Sequence, residues 1–207
     1  MWRINHVLSF FMAVLITQSP PIAQAATDFV LDLDGHPLRT DSQYYILPVL
    51  NQKITSGLTV ATRNGSCPLN VALSTGISTG LPVTFSPVNA GDKVVRLSVD
   101  QNIQFEAITI CIQSTVWRRS NFDQVTGIQF VITGGVTGNP GRATVSNWFT
   151  VERESEVVNN GRYKLVFCPG VCDICRINCG NLGVYEENGN KWLAQVDPAL
   201  SLVFKKV

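Results

Sequence analysis

Charged residues are scarce in this chain: they make up 15% of its 207 residues, and the formal net charge is only +1. A protein that follows nucleic-acid phosphates needs a basic surface, and the sequence has no stripe of Lys and Arg that would provide one. The Arg118-Arg119 pair is too short for this purpose and is interpreted as a solvent-exposed turn. Nucleic acid is therefore excluded as a partner, whereas the 45% of hydrophobic residues favours a packed core.

Histidine is also rare, with His6 and His36 as its two occurrences. Nucleophilic catalysis by Ser or Cys usually needs a neighbouring base. His6 lies in an N-terminal leader, and His36 follows Asp34-Gly35 in a predicted turn. The sequence therefore predicts that the chain is not an enzyme and that it uses no cofactor.

Long apolar runs are absent beyond the N-terminus, which excludes a membrane-spanning helix in the body of the chain. The N-terminal segment has the pattern of a secretory signal peptide: Arg3 precedes an apolar stretch, Val7–Ile16, and a small-x-small cleavage site, Ala23-Gln24-Ala25. We expect residues 1–25 to be removed. The remaining residues, 26–207, are then a single domain that is secreted, either extracellular or vacuolar, without membrane attachment.

Helical periodicity is nearly absent, since no window repeats apolar residues at i, i+3, i+4 and i+7 over three turns. Short β-branched and aromatic runs recur instead at roughly ten-residue spacing, separated by turn sequences such as Asn188-Gly189. Predicted strands include Tyr44–Val49, Val94–Val99, Ile108–Ile112 and Leu200–Phe204. The pattern predicts an all-β sandwich or barrel.

The six cysteines all follow the leader, and in a secreted chain they predict three disulfides, with 15 possible pairings. Four of them form a cluster, and their spacing favours nested pairing within it, which leaves the other two to join across a long stretch of chain. Zinc bound by the four clustered thiolates is the alternative. An oxidising compartment favours disulfides, so we expect no metal.

Several segments of the chain match sequence motifs of one known protein family. They include Val30-x-Asp32-x-Asp34-Gly35-His36-x-Leu38-x5-Tyr44-x-Ile46, Cys67-Pro68-Leu69, Ser114–Arg118 and Tyr163–Pro169. Together they resemble the plant Kunitz family of the soybean trypsin inhibitor type, and the last two resemble its miraculin-like branch. The similarity covers essentially the whole mature chain. It implies a β-trefoil of twelve strands in three units, in which Asp32 and Asp34 have a structural role. The family pairing is Cys67–Cys111, Cys168–Cys179 and Cys172–Cys175.

Inhibitors of this family offer a protease a rigid, substrate-like loop between the fourth and fifth strands. The resemblance places this loop at residues 86–93, with Asn89 before the scissile bond. The other predicted contact residues of the loop are Pro87, Val88, Ala90, Gly91, Asp92 and Lys93. Thr40 stands where trypsin-inhibiting members support the loop with an Asn. The implied partner is a serine endopeptidase, or a cysteine endopeptidase bound by another surface, and a monomer is expected.

This loop departs from the trypsin-inhibiting pattern. Trypsin's specificity pocket holds a buried carboxylate that must be paired with Lys or Arg, and Asn89 does not carry that charge. Thr40 is shorter than the Asn it replaces, and Gly91 adds backbone freedom. Two alternatives therefore stay open. One is a seed or vegetative storage protein, and the other is a miraculin-like protein that binds a receptor, sugar or pigment.

Two further predictions concern side chains outside the loop. Asn64-Gly65-Ser66 is the one N-glycosylation sequon of the chain, and it lies in a polar segment where a glycan would be accepted. Trp117, Trp148 and Trp192 are expected to be buried aromatics of a barrel and not a surface on which a ligand stacks.

Overall fold

The computed structural model describes residues 28–76, 78–155 and 161–207, so the predicted signal peptide lies outside the described residues. The strands are β1 (Tyr44–Leu50), β2 (Lys53–Ile54), β3 (Leu58–Ala61), β4 (Asn70–Leu73), β5 (Val83–Pro87), β6 (Gln101–Phe105), β7 (Arg118–Arg119), β8 (Val131–Ile132), β9 (Thr150–Arg153), β10 (Tyr163–Phe167), β11 (Gly180–Glu187), β12 (Asn190–Gln195) and β13 (Leu202–Lys206). One short 3-10 helix spans Arg142–Asn147. Within these ranges, no helix has the length and apolar character needed to cross a bilayer.

The strands pair antiparallel, mostly with neighbours in the chain. The first and last strands are neighbours in the sheet: β1 pairs with β13 from Tyr44 opposite Lys206 to Pro48 opposite Leu202. The described residues hold thirteen strands where the resemblance implies twelve, and three of the thirteen are only two residues long. The class is all-β, as the sequence predicts.

Alternation along the strands builds the core. In β10 the side chains of Tyr163, Leu165 and Phe167 are buried, whereas the intervening residues are half-buried. Aromatic rings meet edge to face at the centre, for example Phe149 and Phe167 with centroids 5.7 Å apart. Buried alternate residues supply most of the hydrophobic stabilisation of a sheet packed on one face. The three tryptophans that were expected in the core are buried: Trp117, Trp148 and Trp192.

Three sequence-based expectations about local structure are wrong. Residues Ile108–Ile112 form no strand: they lie in a loop in which the three isoleucines are exposed and Cys111 is buried. Val94–Val99 makes only isolated bridges, at Val94 and Arg96. Arg119 is not in a solvated turn: its guanidinium lies 3.8 Å from the centroid of the Phe167 ring and donates to Gln195 Oε1 at 2.7 Å.

The acidic N-terminal segment forms a turn closed by a side chain. Asp32 is buried, and its Oδ1 accepts the backbone N–H groups of Asp34 at 3.0 Å and His36 at 2.8 Å. A carboxylate used in this way holds the backbone in a turn. The contacts of the Asp32 carboxylate agree with its structural interpretation.

Candidate functional site

The predicted loop leaves the barrel at the end of β5 and is held at both ends. Pro87 still pairs with Gln101 of β6, and the Val88 N–H donates to the Asp100 carbonyl oxygen at 2.9 Å. At the other end, the Lys93 carbonyl oxygen accepts the Thr40 N–H at 3.1 Å. Because both ends are fixed, the intervening residues have little freedom to lose on binding.

The tip of the loop is a tight turn. Asn89, Ala90 and Gly91 are exposed, and the Asp92 N–H donates to the Asn89 carbonyl oxygen at 3.0 Å. A protease must draw the carbonyl oxygen of the scissile bond into its oxyanion hole. The Asp92 N–H competes for that oxygen, so a productive fit requires this hydrogen bond to open.

Thr40 lies beside the second half of the loop. Besides its backbone contact with Lys93, its hydroxyl donates to the Asp92 carbonyl oxygen at 3.4 Å. The preceding N–H, of Arg39, donates to the hydroxyl of buried Tyr44 at 2.8 Å. The loop is thereby linked to the core through a short chain of hydrogen bonds.

Sequence reasoning missed Asp100, which lies beneath the loop. Its carbonyl oxygen holds Val88, and its Oδ2 accepts the Gly170 N–H at 2.9 Å. Its Oδ1 is buried and has no hydrogen-bond partner among the described residues. Burial raises the pKa of this carboxyl, and the hydrogen bond from Gly170 opposes the shift. No local pattern signals this role, since the two residues are 70 positions apart.

Gly170 belongs to the cysteine cluster, residues 168–179, which we call the cysteine knuckle. The structure contains three disulfides in the expected pairing: Cys67–Cys111, Cys168–Cys179 and Cys172–Cys175. Near the end of the knuckle the Asn178 carbonyl oxygen accepts hydrogen bonds from Arg119 Nη1 at 3.1 Å and Gln195 Nε2 at 3.0 Å. The knuckle is thus fixed to the barrel beside the loop.

The sequon lies in a different part of the surface. Asn64 is exposed, three residues before the disulfide-bonded Cys67. Its neighbour Arg63 is held by Glu187, with Nε 2.6 Å from Oε2, and by Asp123, with Nη1 2.8 Å from Oδ2. An exposed Asn beside an anchored residue is accessible to a glycosylating enzyme.

Comparison with known proteins decides the family. The family model described as trypsin and protease inhibitor, of the Kunitz legume type, matches residues 30–206. The chain belongs to the Kunitz legume family. Its relative miraculin, from Synsepalum dulcificum, is 43% identical over 212 residues, which cover 96% of this chain and 94% of that protein.

Solved structures of Kunitz legume proteins agree with this assignment. The Kunitz-type cysteine protease inhibitor PCPI-3 from potato superposes with a TM-score of 0.73 and 32% identity, covering 86% of this chain and 96% of that one. Soybean trypsin inhibitor, in its complex with porcine pancreatic trypsin, gives a TM-score of 0.67 and 26% identity over 87% and 99% of the two chains. The predicted β-trefoil is confirmed by these neighbours.

The family assignment also confirms the predicted class of function. Kunitz legume proteins are protease inhibitors and not enzymes, and their partners include serine proteases such as trypsin.

Proposed function

We propose that this Kunitz legume protein is a secreted, monomeric inhibitor whose loop, residues 86–93, binds in the substrate cleft of a serine endopeptidase. The observation that carries the proposal is the exposed tip, Asn89–Gly91, on a base held by Asp100 and Thr40. A loop of fixed shape binds more tightly than a flexible one, because less conformational entropy is lost. No cofactor or metal takes part.

The tip also indicates which peptidases fit. It offers Asn89 and Ala90, which are uncharged, and trypsin's pocket would be left with an unpaired carboxylate. Lys93 is exposed, but its carbonyl oxygen is bound by Thr40 at the end of the loop and not at the tip. We therefore expect weak inhibition of trypsin and a natural target with an uncharged specificity pocket.

The deciding experiment compares inhibition constants of the wild-type chain and an Asn89→Arg variant against trypsin, chymotrypsin, subtilisin and papain. Asn121→Arg, at another exposed Asn, is the matched control. Trypsin inhibition gained by Asn89→Arg alone supports presentation of this loop. If neither the wild type nor the variant inhibits any of the four enzymes, residues 86–93 are not an inhibitory loop.

One observation favours a second function, that of a storage protein with a degenerate loop. The hydrogen bond from Asp92 to the Asn89 carbonyl oxygen holds the oxygen that a protease would need. A storage protein would accumulate to high abundance in seed or vegetative tissue and show no potent inhibition. A miraculin-like receptor, sugar or pigment-binding role would instead be revealed by a ligand retained on the purified protein.

Secretion and glycosylation belong to the same proposal. Residues 1–25 would be cleaved on entry to the secretory pathway, and Asn64 would carry a glycan. Intact mass of the protein from a plant secretory host, compared with an Asn64→Gln variant, measures both the cleavage site and the occupancy. A cysteine endopeptidase would be bound through a surface other than the loop, and papain in the panel tests this.

A further inference from the structure

A pocket of about 260 Å³ lies beside the sequon. Its walls come from two segments that are distant in the chain, residues 63–70 and residues 120–132. Asn64, the residue that would carry the glycan, is itself part of the lining. The volume is just below the roughly 300–1,000 Å³ of small-molecule sites, so it suits a single sugar ring and not a branched oligosaccharide. We call this cavity the sequon pocket.

One buried amide in the sequon pocket has no partner. Asn70, the first residue of β4, is 8% exposed and lines the pocket. Its carboxamide makes no hydrogen bond with any of the described residues, although it can both donate and accept. Buried side-chain amides in folded proteins are normally hydrogen-bonded. A group that enters this pocket and offers a donor and an acceptor would therefore satisfy Asn70.

The charged groups at the pocket are already paired, which indicates that the missing group is neutral. The Arg63 guanidinium lies 2.6 Å from a Glu187 oxygen and 2.8 Å from Asp123 Oδ2. The other oxygen of Asp123, Oδ1, accepts the Thr126 N–H at 2.8 Å and the Thr126 hydroxyl at 2.9 Å. An anion would have to compete with two carboxylates for Arg63, and a cation would have to compete with the guanidinium for Asp123.

The rest of the lining is apolar on one side and polar on the other. Phe130 and Ile132 are buried side chains that border the pocket, whereas Ser66 and Asn121 are exposed and add a hydroxyl group and an amide. Small-molecule sites combine apolar walls with a few placed polar groups in this way. A pyranose ring matches this lining, because it has an apolar C–H face and a rim of hydroxyl groups. An N-acetyl substituent adds the amide donor and acceptor that Asn70 lacks.

We propose that the sequon pocket binds the first N-acetylglucosamine of the glycan on Asn64, with the acetamido group hydrogen-bonded to the Asn70 carboxamide. The covalent link to Asn64 keeps the sugar at a high effective concentration beside the pocket, so weak contacts are enough to hold it there. The unfolded chain has no such pocket, and occupancy therefore stabilises the fold. This site rests on the glycosylation in the proposed function and is independent of loop 86–93.

The test compares three forms of the protein from a host that adds high-mannose glycans. They are the intact glycoprotein, the same glycoprotein trimmed by endoglycosidase H to one N-acetylglucosamine, and Asn64→Gln. We expect the first two to melt at the same temperature. Asn64→Gln should melt about 2–4 °C lower, the shift that the net loss of one hydrogen bond gives in a domain of this size. Equal melting of the trimmed form and Asn64→Gln overturns the assignment.

A relocated sequon separates binding in the pocket from a general effect of glycosylation. Asn64→Gln combined with Lys53→Thr moves the sequon to Asn51, which is exposed in the turn between β1 and β2 and is outside the lining of the sequon pocket. One N-acetylglucosamine at Asn51 should leave the melting temperature equal to that of the same double variant made without sugar in a bacterial host. A gain as large as that at Asn64 overturns the assignment.

Asn70 provides a direct readout. Its side-chain amide signals in NMR spectra should differ between the trimmed form and Asn64→Gln. In an Asn70→Ala background the sugar should no longer raise the melting temperature, and because this gain is measured within one background, the cost of the substitution itself cancels. Added N,N′-diacetylchitobiose should leave the Asn70 signals of the trimmed form unchanged. A shift would show that the pocket is open to a glycan of another molecule, which overturns the assignment.

Intact mass distinguishes the two ways in which the assignment can fail. Protein from a plant secretory host that carries no sugar at Asn64 overturns the glycosylation and this site together. An occupied Asn64 whose first sugar gives no gain in melting temperature overturns this site alone. Inhibition by loop 86–93 is measured separately, with the peptidase panel, and neither result changes it.

Discussion

The backbone N–H of Gly170 donates to Asp100 Oδ2 at 2.9 Å, and this bond joins the cysteine knuckle to the base of loop 86–93. The same Asp100 accepts the Val88 N–H with its carbonyl oxygen. One residue therefore contacts both the candidate inhibitory loop and a disulfide-stapled segment. Through its bonds to both segments, Asp100 links the base of the loop to the disulfide-bonded backbone of the knuckle, which restricts movement of the loop base.

Replacing Asp100 by Ala should loosen both partners. The Gly170 N–H loses its acceptor, and a hydrogen bond of this kind contributes about 1 kcal/mol, so amide exchange at Gly170 should rise about fivefold. Asp100→Asn keeps an acceptor oxygen and should preserve protection. Hydrogen exchange followed by NMR measures both variants, and equal protection of Gly170 in the two would show that the side chain does not hold the knuckle.

The difference in stability between the wild type and Asp100→Asn should depend on pH, because Asp100 titrates and Asn does not. Burial raises the pKa of Asp100, so the folded protein binds this proton more tightly than the unfolded chain does. The stability that the protonated carboxyl contributes is present at pH values below its unfolded pKa and is lost as pH rises through the higher folded value. Asp100→Asn should therefore melt at a higher temperature than the wild type at pH 7 and at the same temperature near pH 3. A constant difference across this range would contradict the assignment.

Gly91 and Gly35 provide a matched pair for loop stiffness. A Cβ at either position meets no atom within 4 Å, but Gly35 has a φ of +80° and Gly91 lies outside the left-handed region. Gly91→Ala should stabilise the protein by about 0.4–1 kcal/mol, because it restricts the unfolded chain. If loop 86–93 is inhibitory, the stiffer tip should also inhibit more tightly.

Gly35→Ala is the control, since it adds the same methyl group where L-residues are strained. It should destabilise the fold by about 1–2 kcal/mol. Urea unfolding of both variants measures the contrast. Destabilisation by Gly91→Ala of the same size as that by Gly35→Ala would show that the loop backbone is not as described.

Alternation of apolar and polar residues correctly predicts strands that are buried on one face. It predicts a strand wrongly where no other part of the chain pairs with the segment. The alternation in Tyr163–Phe167 reports a real strand, because neighbours on both sides complete the sheet. The alternation in Ile108–Ile112 is as regular, yet the described residues pair no strand with it, and the isoleucines face outward. A pattern of period two shows which residues would lie on the same face of a strand, but it does not show whether another part of the protein packs on that face.

Loop 86–93 and its contact with Thr40 could be predicted from the family resemblance, whereas the contacts of Asp100 and Arg119 could not. Loop 86–93 was placed by resemblance to the family, and the hydrogen bonds of Thr40 fall where that resemblance placed a supporting residue. The partner of Asp100, Gly170, is 70 positions away in the chain. The partners of Arg119, Asn178 and Gln195, are 59 and 76 positions away. No local sequence pattern encodes contacts over such separations. The sequence predicts a solvent-exposed charge at Arg119, whereas its guanidinium lies over the ring of Phe167.

The disulfides should differ in their effect on stability according to the length of chain that each one closes. Cys67–Cys111 spans 44 positions and Cys172–Cys175 spans 3. In the chain-entropy model, replacing both cysteines of the first pair by Ser costs roughly 4 kcal/mol and of the second roughly 2 kcal/mol. Urea unfolding of the two double variants measures the difference. A larger loss from Cys172–Cys175 would mean that native contacts of the knuckle outweigh the entropy of the unfolded chain.

The ion pairs of Arg63 should make the stability of the fold depend on pH in the acidic range. Hydrogen bonds from its guanidinium hold the pKa values of Asp123 and Glu187 below their ordinary ranges. A carboxyl with a lowered folded pKa contributes stability above its unfolded pKa, near 4, which is lost as pH falls through the folded value. Arg63→Gln should therefore lower the melting temperature most at pH 6–7 and progressively less between about pH 4 and pH 2.

A smaller deficit should persist at pH 2, because the Arg63 guanidinium also lies 4.1 Å from the centroid of the Phe130 ring and that contact does not titrate. Arg39→Gln is the control: its pair with Asp41 has the same chemistry, but the two side chains are 52% and 62% exposed, and such surface pairs contribute little. Calorimetry from pH 2 to pH 7 should show a pH-dependent deficit for Arg63→Gln and almost none for Arg39→Gln. Equal and pH-independent deficits would mean that Arg63 stabilises the fold by packing alone.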